Sequence, residues 1–167
     1  VIAQGREPSA DPAVPAARGS TPSARFIGVV MVTTCASGAY VASYTFFALL
    51  AVGRGMTLAA GGTALVVGSV AAVVARVLLG VVADRRAMNL FWITGTVMLL
   101  GAVSMGAIAH VPTPAMVVAM AMLGATAWAW NGLLHLAVAT TYEHAAATAT
   151  GLLQVGILGG AGLGPVV

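Results

Sequence analysis

The sequence predicts an all-α polytopic membrane bundle with five spanning helices. Three observations predict it. Of 167 residues, 60% are hydrophobic and only 7% charged, and the mean hydropathy is +1.01. Soluble domains carry about 25% charged residues. The charges are also clustered: Arg6, Glu7, Asp11, Arg18 and Arg25 lie in the first 25 residues, leaving Arg54, Arg76, Asp84, Arg85, Arg86 and Glu143 for the rest. Finally, the apolar residues fall in long blocks parted by short polar breaks, and a spanning helix needs roughly 20 such residues. The blocks lack the period-two alternation of barrel strands.

Residues 1–25 are rich in Pro, Ala, Ser and Gly. They hold too little apolar surface to offset ordering entropy and read as a flexible linker or tail. With four prolines and no apolar core, they are not a secretory signal. The first span is predicted over 26–52, ended by Gly53-Arg54-Gly55. The second covers 58–83, with Arg76 inside it, and ends at Asp84-Arg85-Arg86. The third covers 89–109, closed by the turn His110-Val111-Pro112-Thr113-Pro114, because proline cannot continue a helix. The fourth covers 115–140 and ends at Thr141-Tyr142-Glu143-His144. The fifth covers 147–167. The chain starts at Val1 and stops at Val167 within an apolar stretch, so it reads as a piece of a longer membrane protein.

Such short connections make neighbouring spans antiparallel. Arginines favour the cytoplasmic side. A cytoplasmic tail puts Arg6, Arg18, Arg25, Arg85 and Arg86 inside and Arg54 outside.

The chain has no lysine and no basic stripe, which excludes a nucleic-acid partner. The lone Cys35 excludes a disulfide framework or a cysteine metal site. No hydrolytic triad, metal cluster, P-loop or dinucleotide fingerprint is present, so we expect no catalytic residue, no cofactor and no enzyme activity.

Depth selects candidate site residues. At 1.5 Å per residue, Arg76 lies about 12 Å from Asp84, Gln154 about 11 Å past Ala147, Asn131 about 15 Å before Thr141, and Tyr40 about 21 Å into the first span. Polar residues near mid-membrane mark solute pathways or make interhelical hydrogen bonds. His135 reads as a packing or hydrogen-bonding residue, and His110 and His144 as solvated. Trp92 fits an interfacial anchor. Trp128 and Trp130 lie too deep for that and are expected to line packing or a cavity. Gly156, Gly160 and Gly164 form a small-residue stripe for close helix packing. Arg76, Gly80 and Asp84 are spaced by four and share one helix face. Gly80 offers close backbone approach. Asp84 can face a neighbouring helix N-terminus.

Gly80-Val-Val-Ala-Asp84-Arg85-Arg86 resembles the loop signature of the major facilitator superfamily, roughly G-x-L-A-D-R-x-G-R-[KR]. Gly80, Ala83, Asp84 and Arg85 match, Val82 replaces Leu, and Ala87 and Met88 depart from the pattern. "AWAWNGLLHLAV" and "ATATGLLQVGILGGAGLGP" are similar to family helices 10 and 11. The resemblance covers residues 26–167. It implies a twelve-helix fold, alternating access by two rocking halves, and a small-molecule solute. It also implies a gate role for Gly80, Asp84 and Arg85, the rest of the same transporter as partner, and a multi-pass place in a bacterial inner membrane. Two placements fit, family helices 1–5 and 7–11. The Pro-rich tail, the degraded motif and the Trp-Asn-Gly run favour 7–11. Gly151-x8-Gly160-x3-Gly164-Pro165 resembles the antiporter motif of family helix 5.

Overall fold

A computed structural model describes residues 23–85 and 89–166. They form six α-helices: α1 (Ala24–Gly53), α2 (Leu58–Arg85), α3 (Leu90–Ile108), α4 (Met116–Ala127), α5 (Trp130–Thr141) and α6 (Ala146–Leu163). No strand occurs among the described residues. Short 3-10 turns at Thr113–Ala115 and Glu143–Ala145 lead into α4 and α6. Taken as runs, five spans of 30, 28, 19, 29 and 21 residues are long and apolar enough to cross a bilayer, with α4 and α5 together making the fourth.

Local chemistry sets the helix starts. The Ser23 hydroxyl accepts the Phe26 N–H at 3.3 Å, so α1 opens two residues before the expected start at 26. Thr57 Oγ1 accepts the Ala60 N–H, and Asn89 Oδ1 accepts those of Phe91 and Trp92. Each cap satisfies a donor that the helix cannot. Gly55 turns the chain between α1 and α2 at φ +85°, a conformation that glycine adopts without steric cost. The fifth span ends at Leu163 rather than 167, since Pro165 brings no N–H to the ladder. Of the linker expected over 1–25, residues 1–22 lie outside the described residues, as do Arg86, Ala87, Met88 and Val167, while Ala24 and Arg25 belong to α1.

Successive spans alternate in direction. At one end Phe26 and Tyr142 rings meet edge-to-face at 5.2 Å, placing the start of α1 beside the α5–α6 turn. At the other end the Arg54 guanidinium donates to the Ala109 and Val111 carbonyls, while Thr113 Oγ1 donates to the Arg54 carbonyl. Arg54, expected only as a topology marker, thus ties the α1–α2 turn to the end of α3.

Glycines govern the packing. Along the α1–α6 seam, an added Cβ at Gly156 would meet Val30 and Thr34, at Gly160 the Thr34 backbone, and at Gly164 the Gly38 backbone. The expected close packing of this stripe is therefore present, against a matching row on α1 at Val30, Thr34 and Gly38. Gly68 and Gly124 bring α2 and α4 together in the same way, and Gly101 seats on Ala127. Gly80 differs: a Cβ there would meet nothing within 4 Å. The close approach expected at Gly80 is absent among the described residues, because the tight α2 contact is made three turns earlier, at Gly68.

The fourth span is the most enclosed. Half of its apolar window is buried, against 11% for α2. Two apolar clusters fill the interior. One holds Phe26, Trp130, Leu134, Val138 and Leu153; the other holds Tyr40, Phe47, Met116, Met120 and Leu123. Outward faces stay apolar, as at Leu49, Val66, Val77 and Val155. Serine and threonine hydroxyls close onto their own helix: Thr33, Thr34, Ser43, Thr45, Thr63, Thr94, Thr96 and Ser104 each donate to the carbonyl four residues back. In lipid no water would satisfy them.

Candidate functional site

The fourth span, expected as one helix over 115–140, is broken. Trp128 (φ −109°, ψ −15°) and Ala129 separate α4 from α5 at the level where the two cores meet. At this break a side chain from α2 meets the backbone. The Arg76 guanidinium donates through Nε and Nη2 to the Trp128 carbonyl, each at 3.2 Å. Its Cζ also lies 5.7 Å from the Trp128 ring centroid, within cation–π range. The carbonyl end of a helix favours a cation. Arg76 therefore meets its compensating contact on α4.

Aromatic rings surround this junction. Tyr40 packs edge-to-face on Trp128 at 4.2 Å and lies 5.1 Å from Tyr44. The Tyr44 hydroxyl sits 2.9 Å from Ser69 Oγ and 3.1 Å from the Leu65 carbonyl, and Ser69 Oγ–H also donates to that carbonyl. Between α1, α2 and the break lies a cavity of about 260 Å³, walled by Tyr40, Tyr44, Ser69, Arg76 and Trp128 among others.

A second cavity, of about 250 Å³, lies on the other side of Tyr40 and Trp128, lined also by Ser37, Trp130, Asn131 and Gln154. The Ser37 hydroxyl donates to the Ile157 carbonyl at 2.9 Å. His135 bridges α5 and α6. Its Nδ1 donates to the Asn131 carbonyl at 2.9 Å, and its Nε2 lies 3.0 Å from Gln154 Oε1.

Of the four residues selected by depth, Tyr40, Asn131 and Gln154 line one cavity, and Arg76 joins Tyr40 in the adjoining one. Trp128 and Trp130 line cavity walls. Gly80, Asp84 and Arg85 lie at the far end of α2, away from both cavities, with Asp84 and Arg85 exposed. Sequence reasoning missed Tyr44 and Ser69. Tyr44 is one turn beyond Tyr40, and Ser69 two turns before Arg76, so helical spacing carried the signal. No group of His, Cys, Asp or Glu able to hold a metal occurs among the described residues.

Fold and site together define a helical bundle of membrane-crossing length with polar and aromatic residues gathered at a break inside one span. Compared with family models, curated proteins and solved structures, the chain gives no match.

Proposed function

We propose that this chain is part of a secondary transporter that moves a small solute by alternating access, of the major facilitator type. The observation that carries the reading is the interrupted fourth span beside two mid-membrane cavities. At Trp128 and Ala129 the ladder is interrupted while both residues stay in the right-handed helical region, and the Trp128 carbonyl is met there by Arg76. Discontinuous helices and polar groups at the midplane are how transporters hold solute. Tyr40, Asn131, Gln154 and Arg76 are the solute-facing residues in this reading. Solute flux in proteoliposomes carrying the full-length protein tests it. Folded, inserted protein without flux for any solute class would favour a helical subunit that anchors or assembles a complex.

The orientation proposed is tail-in, in a bacterial inner membrane. Cysteines introduced at Ser20 and Ala87 in a Cys35→Ala background are expected to resist impermeant thiol reagents in intact cells. Ready labelling of both from outside would reverse the topology.

The proposed gate is Gly80, Asp84 and Arg85, by their likeness to the family loop. Asp84→Asn is expected to lower flux several-fold at equal expression. A carboxylate that faces the N-terminus of a neighbouring helix contributes about 0.3–1 kcal/mol, enough to rebalance a two-state equilibrium. Unchanged flux would remove Asp84 from the gate.

A further inference from the structure

The geometry points to the Arg76–Tyr40–Trp128 cavity as a binding site for a small organic anion, a carboxylate attached to a flat apolar body. This rests on the transport reading only in making that anion the solute carried.

Arginine carries five N–H donors. Two go to the Trp128 carbonyl, and the rest have no partner among the described residues. The carboxylates of the described residues are Asp84 and Glu143. Asp84 lies about 12 Å along α2 from Arg76, and Glu143 lies in the turn after α5. The guanidinium is thus met by the Trp128 carbonyl and ring and by no carboxylate among the described residues, at a depth where charge is expensive.

Tyr40 supplies the second observation. It is only 4% exposed, and its hydroxyl lies within hydrogen-bonding reach of the Tyr44 hydroxyl. No side-chain polar atom is sealed away without a partner among the described residues. Tyr40 borders both cavities. Guanidinium and phenol are both donors, and both border the cavity of about 260 Å³. A carboxylate accepts from both. Arginine's planar fork suits it, and a second cation would be repelled.

The remaining wall is aromatic and apolar, its rings inclined at 35°, 71° and 57° to one another. Tyr44 spends its hydroxyl on Ser69 and Leu65, leaving its ring beside those of Tyr40 and Trp128. The cavity is open on the side of Ser69 and Val73, which are exposed, and a solute without the anionic group forgoes the pairing with these donors. Lipid headgroups are excluded as the source of the anion, since they lie outside the hydrocarbon layer and Arg76 lies about 12 Å within it.

Benzoate is the probe. In the purified full-length protein with Trp92→Phe, and with a Trp128→Phe/Trp130→Phe double variant subtracted as the background from other indoles, the reporters are Trp128 and Trp130, both at cavity walls. Benzoate is expected to change their fluorescence saturably, and benzylammonium at the same concentrations is not. Arg76→Lys should weaken benzoate binding about tenfold through loss of the fork, and Tyr40→Phe a few-fold through loss of one donor. Both variants should elute as monodisperse protein, and Tyr40→Phe decides alone if Arg76→Lys does not fold. A non-saturable response, an equal response to benzylammonium, or unchanged affinity in the variants overturns the proposal. The assay reads binding without flux, so its failure leaves the transport reading to the proteoliposome test.

Discussion

Alanine at Gly160 is expected to remove most folded protein from the membrane, and leucine at Gly124 to do the same. At both positions the first carbon of a side chain would overlap backbone of the facing helix, Thr34 for Gly160 and Gly68 for Gly124. Backbone cannot swing aside as a side chain can, so the helices must part along the seam. Overpacking costs about 1–3 kcal/mol and sometimes more. At 3 kcal/mol the folded-to-unfolded ratio falls about a hundredfold. Gly151→Leu and Gly159→Leu are the controls, because a Cβ at either meets nothing within 4 Å. The readout is the monodisperse fraction after detergent extraction. Equal yields for Gly160→Ala and Gly159→Leu would show that the seam tolerates separation.

Arg76→Ala is expected to nearly abolish uptake while leaving the amount of folded protein close to unchanged. Two opposed effects of similar size act on stability. Losing the charged hydrogen bonds to the Trp128 carbonyl costs about 1.5–3 kcal/mol. Removing a charge from the helix interior gains about 2.5–3.5 kcal/mol on insertion scales. They offset each other, so the visible effect falls on the solute. Arg76→Lys keeps the charge and loses the fork, and it should raise the apparent Michaelis constant more than it lowers the maximal rate. Concentration-dependent uptake and surface expression, measured together, decide the matter. Normal affinity in the alanine variant would take Arg76 out of the site. Lost expression with normal residual uptake would make it a structural brace for the break.

The spans were legible because lipid imposes one simple demand, about 20 apolar residues per crossing. The break at Trp128–Ala129 was not. Ala-Thr-Ala-Trp-Ala-Trp holds neither glycine nor proline, and the interrupting group comes from Arg76, 52 residues earlier. Its acceptor is a backbone carbonyl, which every residue has and no residue type announces. Gly156, Gly160 and Gly164 declared a seam through their spacing of four. Gly68, Gly101 and Gly124 made equally tight contacts from isolated positions, with the matching surface on another helix. Depth arithmetic put Tyr40, Asn131 and Gln154 near one level because it needs only rise per residue, and all three line one cavity. It could not assign them to one side of Trp128 or the other.

The self-closed hydroxyls of the helices bear on the order of events during biosynthesis. A span whose serines and threonines are already satisfied can enter the bilayer and wait there without a companion. Ser37 is an exception, since its acceptor is the Ile157 carbonyl, 120 residues later. At about 5–20 residues per second, α6 emerges roughly 6–24 s after that part of α1. For that interval the row at Val30, Thr34 and Gly38 faces lipid or a temporary neighbour. A chaperone or insertase that shields small-residue surfaces would have its longest engagement with α1.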